Sequence, residues 1–165
     1  MLVTSHFLQI KKVAGELNIE AKLIEAGGNS NIEKAIENAL EQNDSIGGIV
    51  ECVVSNLPVG LGEPFFDSVE AVISHLVFSI PAIKGVEFGS GFQAARMKGS
   101  KHNDAIVDKD GTTASNFAGG INGGLTNGNN LVFRVAGGRD TAQPLHGMMW
   151  GYDHKLVPYL KMKEE

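Results

Sequence analysis

Residues 57–89 carry the clearest alternation of apolar and polar positions in the chain. They read as a glycine-proline turn, an amphipathic helix, a proline break and a strand. Phe66, Val69, Ile73, Leu76 and Val77 recur at three- and four-residue spacing, while Asp67, Glu70 and Ser74 fall mostly on the other side, which predicts a helix with one buried stripe. Pro64 has the fixed φ suited to a first helical turn, and Gly60 and Gly62 before it release the backbone, so the helix is expected to start near Pro64. Pro81 cannot continue a helix, because it has no N–H and its ring clashes with the preceding turn. The chain is therefore expected to leave as an extended segment from Ala82 to Phe88, closed by Gly89.

Elsewhere the pattern is shorter. Ser30 followed by Glu33 forms a possible capping box, and Ile32, Ile36, Ala39 and Leu40 share a helical face up to Asn43. The nearly continuous apolar run over residues 49–54 suits a strand covered on both faces or an inner sandwich layer. Residues 131–136 read as the last convincing strand, residues 3–10 as a β-branched and aromatic first one, and residues 92–97 as a brief one. Residues 11–28 show no clean period, and residues 99–113 form a polar loop. Mixed strands and helices without strict alternation predict an α+β domain, with helices held between or against sheets.

Composition sharpens the picture in three places. The 165 residues carry a formal charge of −5, and the forked cations Arg96, Arg134 and Arg139 are widely spaced, which argues against a nucleic-acid footprint. The lone cysteine, Cys52, lies inside an apolar run; no intrachain disulfide can form, and a small buried hydrophobe in a reducing compartment is the plain reading. No run approaches the 18 or so apolar residues of a membrane span, and no secretory leader is visible at the start, so a cytoplasmic protein is expected. After Ala136 the composition changes to a tail with weak periodicity that is expected to pack poorly. The division is thus residues 1–136 and a divergent tail, 137–165.

Candidate chemistry is sparse. SNFAGGINGGLTNG, residues 115–128, offers bare glycine amides that can cradle phosphate or lie under a flat ring. It has neither the preceding strand nor the glycine spacing of a dinucleotide fingerprint, so taken alone it reads as a cluster of turns. His146 and His154 are eight apart with no third ligand evident, and no metal site is expected. His75, His102 and Asp104 read as surface or capping residues, and no Ser-His-Asp or Cys-His constellation assembles from a local signature.

Three blocks taken together say more. DSIGGIVECVV, then GLGEPFFDSVEAVISHLVFSIPAIKGVEFGSGF, then SNFAGGINGGLTNG, in this order over residues 44–136, resemble chorismate synthase, the last enzyme of the shikimate pathway. The resemblance implies a β-α-β sandwich, usually a homotetramer. It also implies a lyase that eliminates phosphate from 5-enolpyruvylshikimate 3-phosphate with reduced FMN, which some members generate with NADPH. By motif, Pro81 and Ala82 occupy one flavin-contact position of the family and Gly123 another. The family's glycine-glutamate-serine-histidine-glycine motif, arginine-rich segment and second histidine have no counterpart here, so no catalytic residue is assigned. Gly137-Gly138-Arg139-Asp140-Thr141 stands where the family has a lysine-proline-threonine loop for the flavin phosphate. The expectation is a C-terminal portion of the enzyme, without activity alone. The alternatives are a non-catalytic flavin-binding or assembly module, and a decayed product that exposes apolar surface.

Overall fold

The computed structural model describes residues 17–138. The expected strand over residues 3–10, the tail histidines and all but the first two residues of the predicted tail lie outside the described residues. Four strands, β1 (Asn18–Ala26), β2 (Gly48–Ser55), β3 (Ile83–Phe88) and β6 (Leu131–Gly137), form an antiparallel sheet in the order β1-β2-β6-β3. Two helices, α1 (Ile32–Glu41) and α2 (Val69–Phe78), contact the sheet at β1 and β3 respectively. A second ladder, β4 (Ile121–Asn122) with β5 (Leu125–Thr126), is a hairpin beside α2. The mixed α+β architecture is the expected one.

Register gives the sheet two faces of different chemistry. Across the strands, Ile19 pairs with Val54 and Val54 with Leu131, while Ala21 pairs with Cys52, Cys52 with Phe133 and Phe133 with Phe88. Val54, Leu131 and Ile121 form the centre of the core, with Cys52, Phe88, Phe133, Val69 and Ile73 packed against it. On the other face, one row runs Lys22, Glu51, Arg134, Glu87, alternating in charge across all four strands. Strand β2 is apolar on both faces apart from Glu51, since Ile49 and Val53 share the Glu51 face with Ala136 and Val132, and a single charged row crosses that face.

Strand β1 lies in the stretch without a clean period. Ile19, Ala21 and Leu23 do alternate with Asn18, Glu20 and Lys22, but the register slips between Leu23 and Glu25. That irregularity changes the face of every later side chain and masks the period. Helix α1 forms where expected, with a different cap. Asn31, not Ser30, accepts from the Lys34 amide (3.2 Å), after Asn29 has accepted from the Asn31 amide (2.8 Å). Its buried residues are Ala35 and Ala39, whereas Ile36 is 42% and Leu40 69% exposed. Small side chains let the helix approach β1, and the larger ones are turned outward.

Helix α2 starts five residues later than Pro64 suggests. Glu63 and Asp67 exchange both backbone hydrogen bonds (2.8 and 2.9 Å), closing a loop that keeps residues 64–66 out of the helix. Ser68 is the cap, accepting from the Ala71 amide at 3.2 Å. Phe66 therefore does not join the buried stripe; Phe65 and Phe66 are 94% and 91% exposed, and Leu76 is 60% exposed. Val69 and Ile73 pack on the core and Val77 is half-buried, a narrower stripe at four-residue spacing. The exit at Pro81 is as expected. Residues 92–97 are not a strand: Gly91–Arg96 is a 3-10 helix, with Gln93 and Met97 amides donating to Ser90 and Ala94 carbonyls.

Candidate functional site

The glycine-rich segment is a hairpin held from several sides. Gly123 and Gly124 have φ of 59° and 86° and separate the β4 and β5 pairs Asn122–Leu125 and Ile121–Thr126. Two consecutive positive φ values in a two-residue connection match the right-handed twist of the flanking strands, which is why Gly-Gly serves here. The buried Thr126 hydroxyl donates to the Pro58 carbonyl (2.6 Å) and accepts from the Leu61 amide (2.9 Å). The Gly124 carbonyl accepts from the Val69 amide at 3.0 Å. These bonds fasten the hairpin to the first turn of α2. A side chain at Gly123 would meet no atom within 4 Å, so this backbone faces open space.

Pro81 and Ala82 lie at the other end of α2. Ala82 adopts a left-handed backbone (φ 69°), and its carbonyl accepts from the Gly138 amide at 2.9 Å. That bond sets the turn beside the end of β6, at the start of the segment where Gly-Gly-Arg-Asp-Thr appears. Ten helical residues span about 15 Å, so the structure brings Pro81 and Ala82 together and leaves Gly123 at the far end of the helix. Pro81 and Gly123 are exposed and Ala82 is half-buried. The three positions form two separate backbone sites, not a single pocket in one copy of the chain.

Between sheet and hairpin lies a polar cluster that local sequence patterns do not reveal. Asp104 Oδ1 accepts from the Ser115 hydroxyl (2.6 Å) and the Phe117 amide (2.8 Å), and Oδ2 accepts from the Ala118 amide (2.8 Å). Burial pushes its carboxyl up, but the Ser115 hydroxyl, the two amides and the nearby His102 charge outweigh it and hold Asp104 below the usual carboxylate range. His102 Nε2 and Ser90 Oγ share a 2.6 Å hydrogen bond, and the His102 ring stacks on Phe117 at 5.5 Å between centroids. Asp104 thus has the capping role its sequence suggested. No local pattern points to Ser90, because its partner lies twelve residues on in an aperiodic loop.

The other candidates are structural. Arg134 Nε donates to Glu51 (2.9 Å), and Nη1 donates to Glu87 (3.2 Å) and to the Gly89 carbonyl (3.1 Å). Burial lowers the Arg134 pKa, but the carboxylates of Glu87 and Glu51 more than restore it, leaving it above its ordinary value. This guanidinium is committed to the charged row of the sheet and is not a clamp for an external anion. Cys52 is half-buried, and burial pushes its thiol up, away from the reactive thiolate. Among the described residues no group of three His, Cys, Asp or Glu could hold a metal ion, and no helix is long and apolar enough to cross a membrane.

Comparison with known proteins defines the class. A solved structure titled "Crystal Structure of Chorismate Synthase" superposes with a TM-score of 0.70 at 28% identity, over 81% of this chain and 52% of that one. The family model described as chorismate synthase matches residues 1–139, and the chain belongs to the chorismate synthase family. The chorismate synthase of Chitinophaga pinensis is 63% identical over 127 residues, 76% of this chain and 38% of that protein. Those of Korarchaeum cryptofilum and Saccharomyces cerevisiae are 56% and 52% identical, over 62% of this chain and 29% and 28% of theirs. The chain spans well under half the length of these relatives.

Proposed function

We propose that this chain forms the α2–β3 unit and part of the flavin seat of a chorismate synthase. The enzyme would be a cytoplasmic homo-oligomer that eliminates phosphate from 5-enolpyruvylshikimate 3-phosphate with reduced FMN. The observation that supports this reading most is the exposed Gly123 turn, whose backbone faces open space at a position that by motif corresponds to a flavin contact of the family. Reduced flavin, when bound, would supply an electron transiently as phosphate leaves. The Gly123 turn would offer its backbone to the ring without a side chain in the way, and Pro81 and Ala82, a helix length away, would make a separate contact.

The substrate bears a phosphate and two carboxylates, and holding it needs several converging cations to offset desolvation. Arg134 is already shared by Glu51 and Glu87, so the anion site has to draw on cations other than this one. Arg96 and Arg139, the other forked cations of the sequence, are too few to complete such a site, and the chain is proposed as a scaffold for the reaction. Chorismate formation measured anaerobically with reduced FMN tests this. Protein of this sequence alone should give no detectable product, and turnover at the rate of a full-length relative would overturn the assignment of the substrate cations to groups elsewhere.

A further inference from the structure

We propose that Ser90, His102 and Asp104 form a positioning unit that fixes the glycine hairpin, and through it the backbone at Gly123. This rests on the reading of Gly123 as a flavin contact. A hairpin with two residues in each strand has little stability of its own, so the geometry of its turn is imposed by what anchors it. One end is fastened by Thr126 and by the Val69 amide. The other end enters through residues 117–120, and there the three side chains converge.

The Ser90 amide donates to the Phe117 carbonyl at 2.8 Å, while its hydroxyl holds His102, whose ring lies against the Phe117 ring. Asp104 takes the Phe117 and Ala118 amides. Phe117 is thus held at its carbonyl, its amide and its ring by three residues from outside the hairpin. Immediately after it, Gly89 and Gly119 are so close that a Cβ on either would collide with the other's backbone. Rotation at Phe117 therefore moves Gly119 and Gly120, and Gly120 accepts from the Asn127 amide at 3.0 Å across the base of the hairpin. The unit touches Phe117 and not the open surface at Gly123, so it acts on a ligand only through the backbone.

The test uses the full chain with FMN as the probe, reading fluorescence quenching for affinity and hydrogen exchange at the Asn127 amide for the hairpin. Wild-type protein should quench saturably. His102→Ala should raise the Kd and speed Asn127 exchange, each by roughly tenfold, as expected for loss of one hydrogen bond and a ring contact. His102→Gln, which can still bond Ser90, should recover most of both changes. Wild-type protein that does not quench FMN overturns the flavin reading. Saturable quenching with unchanged Kd and Asn127 exchange in His102→Ala overturns the positioning role. Ser90→Ala removes only the hydroxyl and gives the same comparison should His102→Ala fail to fold.

Discussion

Asp104 shows how one side chain can matter more than its neighbours suggest. It closes a loop by accepting three donors, and its carboxyl titrates below the usual range in the folded protein. With the folded pKa depressed, its stabilisation is complete above the unfolded value near 3.9 and is lost as pH falls through the folded one. Asp104→Asn should lower stability at pH 7 by about 1–3 kcal/mol and flatten the fall in stability below about pH 4. Urea unfolding at pH 7 and across the acid range measures both, and an unchanged acid limb would contradict the role given to Asp104. The glycines divide just as sharply. Gly119→Ala drives a methyl into the Gly89 backbone and should cost about 3 kcal/mol or more, whereas Gly123→Ala meets open space and carries only the left-handed penalty, about 1–2 kcal/mol. Thermal unfolding of the two variants measures this difference, and equal losses would mean that Gly123 is packed in solution. The sequence marked this segment as a cluster of turns, but which glycine is pressed and which is free depends on Gly89, thirty residues earlier, and no local pattern contains that contact.

At the scale of elements, α2 and the charged row of the sheet make separable predictions. Ile73→Ala removes a side chain packed on the core and should cost about 2–4 kcal/mol, while Leu76→Ala, on the exposed side of the same helix, should cost less than about 1 kcal/mol. Equal losses in equilibrium unfolding would mean that Leu76 is covered in solution. In the charged row, Arg134→Met strands Glu51 and Glu87 without their shared donor and should destabilise by about 1–3 kcal/mol. Adding Glu51→Gln and Glu87→Gln should return part of that loss, and a double-mutant cycle without coupling would refute the ladder. Strand β6, helix α1 and the exit at Pro81 were legible because β-branched runs, helical spacing and proline act locally. The start of α2 was not, because the Glu63–Asp67 closure outweighs the preference of Pro64 for a first turn. Strand β1 was hidden by its register slip, and the 3-10 helix after Ser90 by the tertiary bond from the Ser90 amide to Phe117.

Across residues 17–138 the molecule has a thin interior for its apolar content. Among the described residues the buried apolar side chains are Ala26, Ala35, Ala39, Val54, Ile121 and Leu131, and no large side chain is fully enclosed. Leu40, Val59, Phe65, Phe66, Leu76, Phe92 and Ile106 all stand more than half exposed. Single exposed apolar residues are ordinary, but two adjacent phenylalanines on a closed loop, with Val59 exposed in the same Pro58–Phe66 stretch, are the kind of surface that draws a partner or a second copy. At about 25 cal/mol per Å² of apolar area removed from water, two phenylalanine side chains could contribute a few kcal/mol to association. The protein should therefore bind a hydrophobic dye and sediment above the mass of its 17.5 kDa chain at micromolar concentration. Phe65→Ser with Phe66→Ser should reduce both without lowering the thermal midpoint, since neither ring touches the core. A wild-type protein that stays monomeric, ignores the dye and melts in one sharp transition would show that this surface is tolerated by water and leads to no partner.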